Sequence, residues 1–439
     1  MGPPRREGPA LRRAGRRQSR HLRRRAAALR RGGPCQRLPL HARRRHRGLP
    51  LARRAAHRRP AHHQRRPAPG RDRRSLPGAR PRRSGEGGHH ARGGGVVLTL
   101  PSVTRAAVFH APDDIRLEIL PLRAPGPREV LVRIRACGLC SSETLAWYMR
   151  RKAPLVLGHE PVGEVVAAGE EASAGAGVAL EPGTRVFIHH HAPCLRCRAC
   201  RRGQYVHCQT WRRTRLVPGG LCDHALVPGE IAGADMLALP PEVSDDAGIF
   251  VEPLACVIKS LRRARLQPGD RVAVVGLGVM GLLHVLLARR LPVERVVGAD
   301  LLEERLAAAR AAGADEAVPA AEVREATEGG ADVVFVTPAS LQAVRLGYEC
   351  VAPGGRLVIF SPVPPEEHWP LPLHDLFFRE VEVVPTYSAG PEDTREALSA
   401  IAGGLPVESL ISHRLGLDQV AEGYRLVAAG RALKVVVRP

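Results

Sequence analysis

Residues 271–290 read as a strand, a glycine turn and a helix, and very few folds accommodate that order. The strand is the continuous apolar run from Arg271 to Val275 (RVAVV), and the helix is the apolar periodic stretch from Val279 to Arg290. Between them stands Gly276-Leu277-Gly278-Val279-Met280-Gly281, a G-x-G-x-x-G turn. In this context Gly276 permits the tight turn, Gly278 lets a pyrophosphate approach the backbone, and Gly281 lets helix and sheet pack closely. The helix N-terminus adds free N–H groups and a favourable dipole for phosphates. Alone, the hexapeptide is a weak signal. Asp300 strengthens it, because it ends the next strand 19 residues beyond Gly281, where a carboxylate can bind an adenine-ribose 2′-hydroxyl. A turn that only packed tightly would leave Asp300 unexplained. The same carboxylate repels a 2′-phosphate, and Leu301 and Leu302 provide no arginine to receive one, so NAD is favoured over NADP.

The alternation continues downstream. Strand 295–299, a helix from Leu302 to Ala312, and strands 332–336, 356–360 and 381–385 are apolar runs separated by helical stretches. This is the pattern of a doubly wound parallel sheet. Upstream the texture differs. Short runs at 105–109, 129–136, 162–168, 184–188 and 223–227, broken by Gly and Pro, describe a compact β-rich, barrel-like unit. A helix at 246–265 joins the two. The last fifty residues, with a helix at 391–403 and a strand at 433–437, abandon the alternation. The expected organisation is α/β: a leader over 1–95, a β-rich unit over 96–250, a dinucleotide-binding doubly wound domain over 251–389, and a segment over 390–439 that leaves the alternation.

Charge is unevenly spread. The net +24 suggests a nucleic-acid partner until it is divided: residues 1–95 hold 30 arginines, no lysine and three acids (Glu7, Asp72, Glu86). The remainder holds 37 basic and 40 acidic side chains and is mildly acidic. The leader has almost no aromatic or β-branched residues, so it cannot bury enough surface to offset its ordering entropy, and disorder is expected. Three readings compete: a basic arm for RNA or membrane, a transit peptide lacking the usual serines, and a start assigned too far upstream. The last is favoured, with sense beginning near Val96. No run of 18 apolar residues is present, which argues against a membrane span. With no secretory signal, the expected compartment is cytoplasmic.

Cys194, Cys197, Cys200 and Cys208 form a C-x2-C-x2-C-x7-C run in a polar, Arg-rich loop. Four thiolates this close suit a closed, structural zinc site. Disulfides fit an intracellular chain less well, and an iron–sulfur cluster uses other spacings. Two further clusters flank strands: Cys137-Gly138-Leu139-Cys140-Ser141-Ser142-Glu143 follows one, and Gly158-His159-Glu160 precedes another. A cysteine, a histidine and an acid leave a coordination position open, as a catalytic zinc requires. A lone His-Glu would be a weak signal, since His159 could be a hydrogen-bonded core histidine.

The order GLCSSE, GHEPVGE, four-cysteine lobe, Glu252-Pro253-Leu254 and GLGVMG resembles the zinc-dependent medium-chain dehydrogenase/reductase (alcohol dehydrogenase) superfamily, from about Val103 to the C-terminus. Its polyol (sorbitol/iditol) and threonine dehydrogenase branch is nearest. The resemblance implies that residues 96–250 are a GroES-like catalytic domain, that 251–389 are a Rossmann NAD-binding domain and that 390–439 return to the catalytic domain, with one catalytic and one structural zinc per subunit, NAD, an alcohol or polyol substrate, and a homo-oligomer, tetramer or dimer. Cys140, His159 and Glu252 then correspond to catalytic zinc ligands, and Glu160 to the adjacent carboxylate that reaches the metal directly or through water. Ser142 matches the hydroxyl that passes the substrate proton on. Glu143 stands where the family usually has the Asp that orients the ligand histidine. Cys137 is a neighbouring non-ligand. Gly276, Gly278, Val279, Met280, Gly281, Asp300 and Arg305 correspond to cofactor-binding positions, Arg305 near the adenosine.

Departures bear on the substrate. Leu145 replaces a relay histidine, Ala146 an aromatic residue, and Ser388-Ala389 the Arg-Tyr pair of sorbitol-type enzymes. Sorbitol itself is therefore disfavoured. His189, His190 and His191 read as an alternating strand surface, with at most one facing the cleft. Cys222, Cys256 and Cys350 read as small core residues. The alternatives are a threonine-type amino-alcohol dehydrogenase, a carbonyl reductase, and a zinc-containing nucleic-acid-binding protein acting through its leader. An open zinc site beside a dinucleotide turn argues against the last.

Overall fold

The structure, a computed structural model, describes residues 100–175 and 180–439. The leader, with its expected disorder, lies outside the described residues. The β-rich part contains β1 (Val103–Ala111), β2 (Asp114–Pro121), β3 (Val130–Gly138), β4 (Leu155–Val156), β5 (Glu160–Ala168), β6 (Arg185–Ile188), β7 (His224–Val227) and β8 (Met236–Ala238). The alternating part contains β9 (Arg271–Val275), β10 (Arg295–Asp300), β11 (Glu316–Pro319), β12 (Ala331–Val336), β13 (Val351–Ile359) and β14 (Glu382–Pro385). Then come β15 (Ile411–Gly416) and β16 (Lys434–Arg438).

Strands β9 to β14 form one parallel sheet in the order β11-β10-β9-β12-β13-β14. This is the doubly wound order, and its direction reverses between β9 and β12, where ligands bind in such sheets. Val272, Ala273, Val274 and Val275 are all buried, as a strand covered on both faces requires. The helix Val251–Ala264 covers one face through Leu254, Val257, Ile258 and Leu261, the spacing of one helical stripe. It ends where Arg265 adopts a left-handed φ of 53°. Glu252 is in its first turn, where the helix dipole favours an anion.

The last strand crosses back. β16 runs antiparallel to β3 with Val436 opposite Gly138, and β3 pairs β5 with Gly138 opposite Glu160. That register gathers the end of β3, the start of β5 and the start of β16 at one place. Gly138 is required there: a Cβ would meet Glu160 Oε2 at 2.0 Å and Lys434 Cε at 2.8 Å. Strands β2, β4, β8, β11 and β15 were not legible in the sequence pattern. β4 and β8 are two and three residues long, too short for a period-two signal. β13 begins five residues before the expected 356, because the glycines at 354 and 355 masked its first half.

Candidate active site

Cys140 lies two residues beyond β3, His159 and Glu160 at the entry to β5, and their ligand atoms are within 4.8 Å of one another. His159 is oriented from behind. Its Nδ1 is 3.0 Å from Glu143 Oε1, which also accepts the Gly158 N–H at 3.1 Å, while the Tyr424 hydroxyl donates to Oε2. This leaves Nε2 as the donor facing Cys140. Burial opposes a charged ring here, but Glu143 and Cys140 outweigh it and raise the imidazole well above its ordinary pKa. A carboxylate bonded to the far nitrogen of a ligand histidine fixes its tautomer and increases its basicity. Glu143, although longer than the usual Asp, reaches this position.

Glu160 is nearly inaccessible. Its Oε2 pairs with Lys434, whose ammonium also donates to the Leu139 carbonyl at 3.3 Å, and its Oε1 has no partner among the described residues. Burial raises Glu160 above the ordinary carboxylate range, whereas Glu160 raises Lys434 against that residue's own burial. The two shifts compete for one proton, and the charged pair is favoured because a lone carboxylic acid would strand the buried ammonium. Lys434 has no counterpart among the residues singled out from sequence. Only the β16–β3 pairing brings it here, 274 residues from Glu160. A thiol, an imidazole and a carboxylate oxygen still lacking a partner suit a zinc ion with an open position. Ser142 Oγ is 3.3 Å from Cys140 Sγ, so the hydroxyl borders that site.

Glu252 is 5% exposed, and its carboxylate clusters with His189 and His190 within 4.8 Å. The three histidines are not a strand surface. β6 ends at Ile188, and the rings make successive tilted or edge-to-face contacts: His159–His190 at 5.0 Å, His189–His190 at 5.0 Å, His190–His191 at 4.1 Å, and His191–Trp211 at 4.2 Å between centroids. Alternation fails as a guide because the strand stops just before them. His191 Nδ1 is used by the Thr214 carbonyl at 2.8 Å.

The four-cysteine lobe is built locally. Cys197 precedes the short helix Arg198–Arg201 that carries Cys200, and Cys208 precedes the helix Gln209–Arg213. The four sulfurs lie within 4.8 Å of one another around Val206 and Trp211. Sγ–Sγ separations of 3.5 and 4.0 Å are far from a disulfide bond. Cys208 is held down to about 6, against burial, by the backbone N–H groups of Cys194, Trp211 and Thr210. Cys200 is pushed up to about 12 by burial and by the neighbouring thiols. Four sulfurs so placed cannot all ionise without a cation, which fits zinc.

At the nucleotide turn, Gly276 has a φ of 89° and a Cβ on Gly281 would meet Gly276 O at 1.9 Å. Gly278 faces open space, as a pyrophosphate path requires. Val279 and Met280 begin the helix Val279–Ala288. Asp300 accepts the Leu277 N–H at 2.6 Å and the N–H groups of Leu301 and Leu302 at 2.7 and 3.1 Å. Arg305 stands 3.6 Å from Asp300 and donates to the Gly430 carbonyl at 3.1 Å. Sequence, fold and chemistry converge on a nucleotide-binding turn and an open metal site.

Comparison with known proteins agrees. Residues 126–235 match the alcohol dehydrogenase GroES-like domain and residues 266–403 the zinc-binding dehydrogenase family. Erythritol/L-threitol dehydrogenase of Mycolicibacterium smegmatis is 30% identical over 77% of this chain and 99% of its own length. Sorbitol dehydrogenase of Gallus gallus is 30% identical over 76% of this chain and 96% of its own. A zinc-binding dehydrogenase from Sinorhizobium meliloti, solved with NADP bound, superposes with a TM-score of 0.67 at 26% identity, covering 77% of this chain and 100% of that one. The chain therefore belongs to the zinc-dependent medium-chain alcohol dehydrogenase superfamily, near its polyol dehydrogenases, and is an oxidoreductase of alcohols.

Proposed function

We propose that this enzyme oxidises a secondary hydroxyl of a short polyol with NAD, using Cys140, His159 and Glu160 at the catalytic zinc and Glu252 at its border. The observation that carries the reading is the meeting of Cys140, His159 and Glu160, the histidine backed by Glu143 and Tyr424. In this superfamily the bound zinc polarises the substrate oxygen and the nicotinamide accepts hydride. The chain's own residues set the geometry. Glu143 holds the His159 proton on Nδ1, and Lys434 balances the charge of Glu160. Ser142 offers the substrate proton an exit. Leu145 provides no second carrier, so the proton passes from Ser142 to water.

Asp300, nearly buried beside the glycine turn and surrounded by backbone N–H groups, supports NAD over NADP. Ala146, Ser388 and Ala389 support a substrate other than sorbitol. Assembly with further copies of the chain, as a dimer or tetramer, is supported by the helix Leu373–Phe378. That helix leaves Leu373, Phe377 and Phe378 68 to 72% exposed just before edge strand β14. No helix among the described residues is long and apolar enough to cross a membrane. A cytoplasmic setting is supported by thiols packed as a metal site rather than as disulfides.

The test is a panel of polyols, sugars, simple secondary alcohols and amino alcohols, followed by NADH absorbance and repeated with NADP. Fastest turnover is expected with a short polyol and NAD. Preference for an amino alcohol would favour the threonine-type reading. Absence of turnover with every member and both nucleotides would overturn the proposal.

A further inference from the structure

We propose that Lys152 and Arg215 bind an anionic group, a phosphate or a carboxylate, carried by the substrate at the end remote from the carbon being oxidised. This site presupposes the catalytic centre read above and narrows its substrate from a short polyol to one that bears a negative charge. The two cations meet at the far end of a run of aromatic rings that begins on His159.

From His159 the rings pass to His190 at 5.0 Å, to His191 at 4.1 Å, to Trp211 at 4.2 Å and to Tyr387 at 5.9 Å between centroids. Tyr387 lies just beyond β14, and the Lys259 ammonium donates to its carbonyl at 2.7 Å, which fixes that segment. Its hydroxyl is crowded although the residue as a whole is exposed. The surrounding protein and then the Tyr148 phenol push that hydroxyl up to about 12, and Arg215 acts in the opposite sense. Tyr148 and Arg215 therefore both stand near one hydroxyl, that of Tyr387. Lys152 joins them through Tyr148, its ammonium 3.5 Å from that ring's centroid, a cation–π contact. Tyr148 belongs to the short helix Ala146–Met149 that follows Cys140 and Ser142, so the run returns to the segment that supplies the thiol of the open centre.

Charge at this place has no internal balance. Lys152 and Arg215 are exposed, and neither forms an ion pair among the described residues. Arg215 donates to the carbonyls of Arg212 and Thr214 at 2.9 and 2.7 Å. Elsewhere in the chain Arg105, Arg135 and Arg262 each pair with an acid. The two segments that supply the site are cleared of acids: no Asp or Glu occurs over 145–159 or over 182–222, although residues 96–439 as a whole are mildly acidic. The same segments add Arg150 and Arg151 on one side and Arg212 and Arg213 on the other. The indole N–H of Trp211 also lacks an acceptor among the described residues. Ammonium, guanidinium and indole groups donate and cannot accept, whereas an ionised phosphate or carboxylate only accepts. A planar guanidinium beside a mobile ammonium suits such an oxyanion, and hydrogen bonds to it are of the strong, charge-assisted kind.

Three four-carbon probes test the site on the full, zinc-loaded enzyme with NAD: erythritol, erythritol 4-phosphate and erythronate. kcat/KM for at least one anionic probe should exceed that for erythritol by about 10–100-fold, and which of the two gains names the group as phosphate or carboxylate. Lys152→Gln and Arg215→Gln should each lower the anionic-to-neutral ratio about tenfold, chiefly through KM. Lys152→Arg should keep most of the ratio because the charge remains, and high salt should reduce it in the wild type. All these readouts are ratios, so a general loss of activity in a variant does not imitate them. A wild-type ratio at or below one for both anions, with erythritol turned over, would overturn the anion site and leave the polyol reading standing. A ratio above one that neither glutamine variant lowers would overturn the assignment to Lys152 and Arg215. Turnover of none of the three probes would overturn the polyol reading and the anion site together.

Discussion

The two metal-type regions contrast in how far the chain travels to build them. The four-thiol lobe closes within fifteen residues, from Cys194 to Cys208, and its supports are backbone N–H groups of the same loop. The open centre draws Cys140 from just beyond β3, His159 and Glu160 from the entry to β5, and Lys434 from β16. A local site holds its shape through its ion and lends that stability to the loop. A dispersed site inherits its shape from the fold, so its positions can be spent on chemistry. The difference predicts opposite consequences for substitutions that look alike on paper.

The largest effect should separate the regions outright. Cys140→Ser removes the soft donor of the open centre, and turnover should fall by on the order of a thousandfold or more, since Lewis-acid polarisation contributes several kcal/mol. Thermal stability and NAD binding should persist, because β3 and the nucleotide turn remain intact. Steady-state kinetics with a calorimetric melt reads both; unchanged turnover would remove Cys140 from the site. Cys197→Ser should do the reverse. Its first consequence is loss of lobe metal and a fall in Tm of about 10 °C, if the site contributes roughly 3 kcal/mol at 2–4 °C per kcal/mol. A variant that keeps both its Tm and its metal content would show that the lobe holds no ion.

The same contrast governs what could be read without coordinates. The lobe and the glycine turn are contiguous motifs, and spacing alone carries their chemistry. The parallel sheet was legible too, because buried strands such as β9 and β12 are unbroken runs of valine and its like. Lys434 was not, since an ordinary lysine in a terminal strand gains meaning only through the β16–β3 register. Tyr424, which supports Glu143 across 281 residues, was hidden for the same reason. The histidines misled because period-two reasoning was carried past the end of β6. Asp235 and Thr394, which hold His189, belong to two helices far apart in the chain and leave no joint pattern.

Support behind the open centre should matter less than its ligands. Glu143→Gln keeps the shape but loses the charge bonded to His159 Nδ1, and Tyr424→Phe removes only the hydroxyl that orients Glu143. Catalytic-metal affinity should drop about 10–100-fold in the first and by less in the second, measured by chelator competition. The four-thiol lobe should keep its ion in both, which is the internal control. Equal loss of metal from both regions would show that Glu143 acts on the fold as a whole.

The smallest effect concerns the nucleotide. Asp300 is buried beside the turn, and its oxygens already accept three backbone N–H groups, so it positions the loop. Asp300→Ser removes the negative charge while keeping a hydrogen-bonding group. The ratio of kcat/KM for NADP over NAD should rise by about tenfold, or roughly 1.4 kcal/mol. Arg305, 3.6 Å from the carboxylate, then loses its partner and becomes available to a 2′-phosphate. Asp300→Ser combined with Arg305→Ala should therefore lose much of that gain. If the cofactor ratio is the same before and after, the carboxylate serves the loop alone, and discrimination lies elsewhere in the fold.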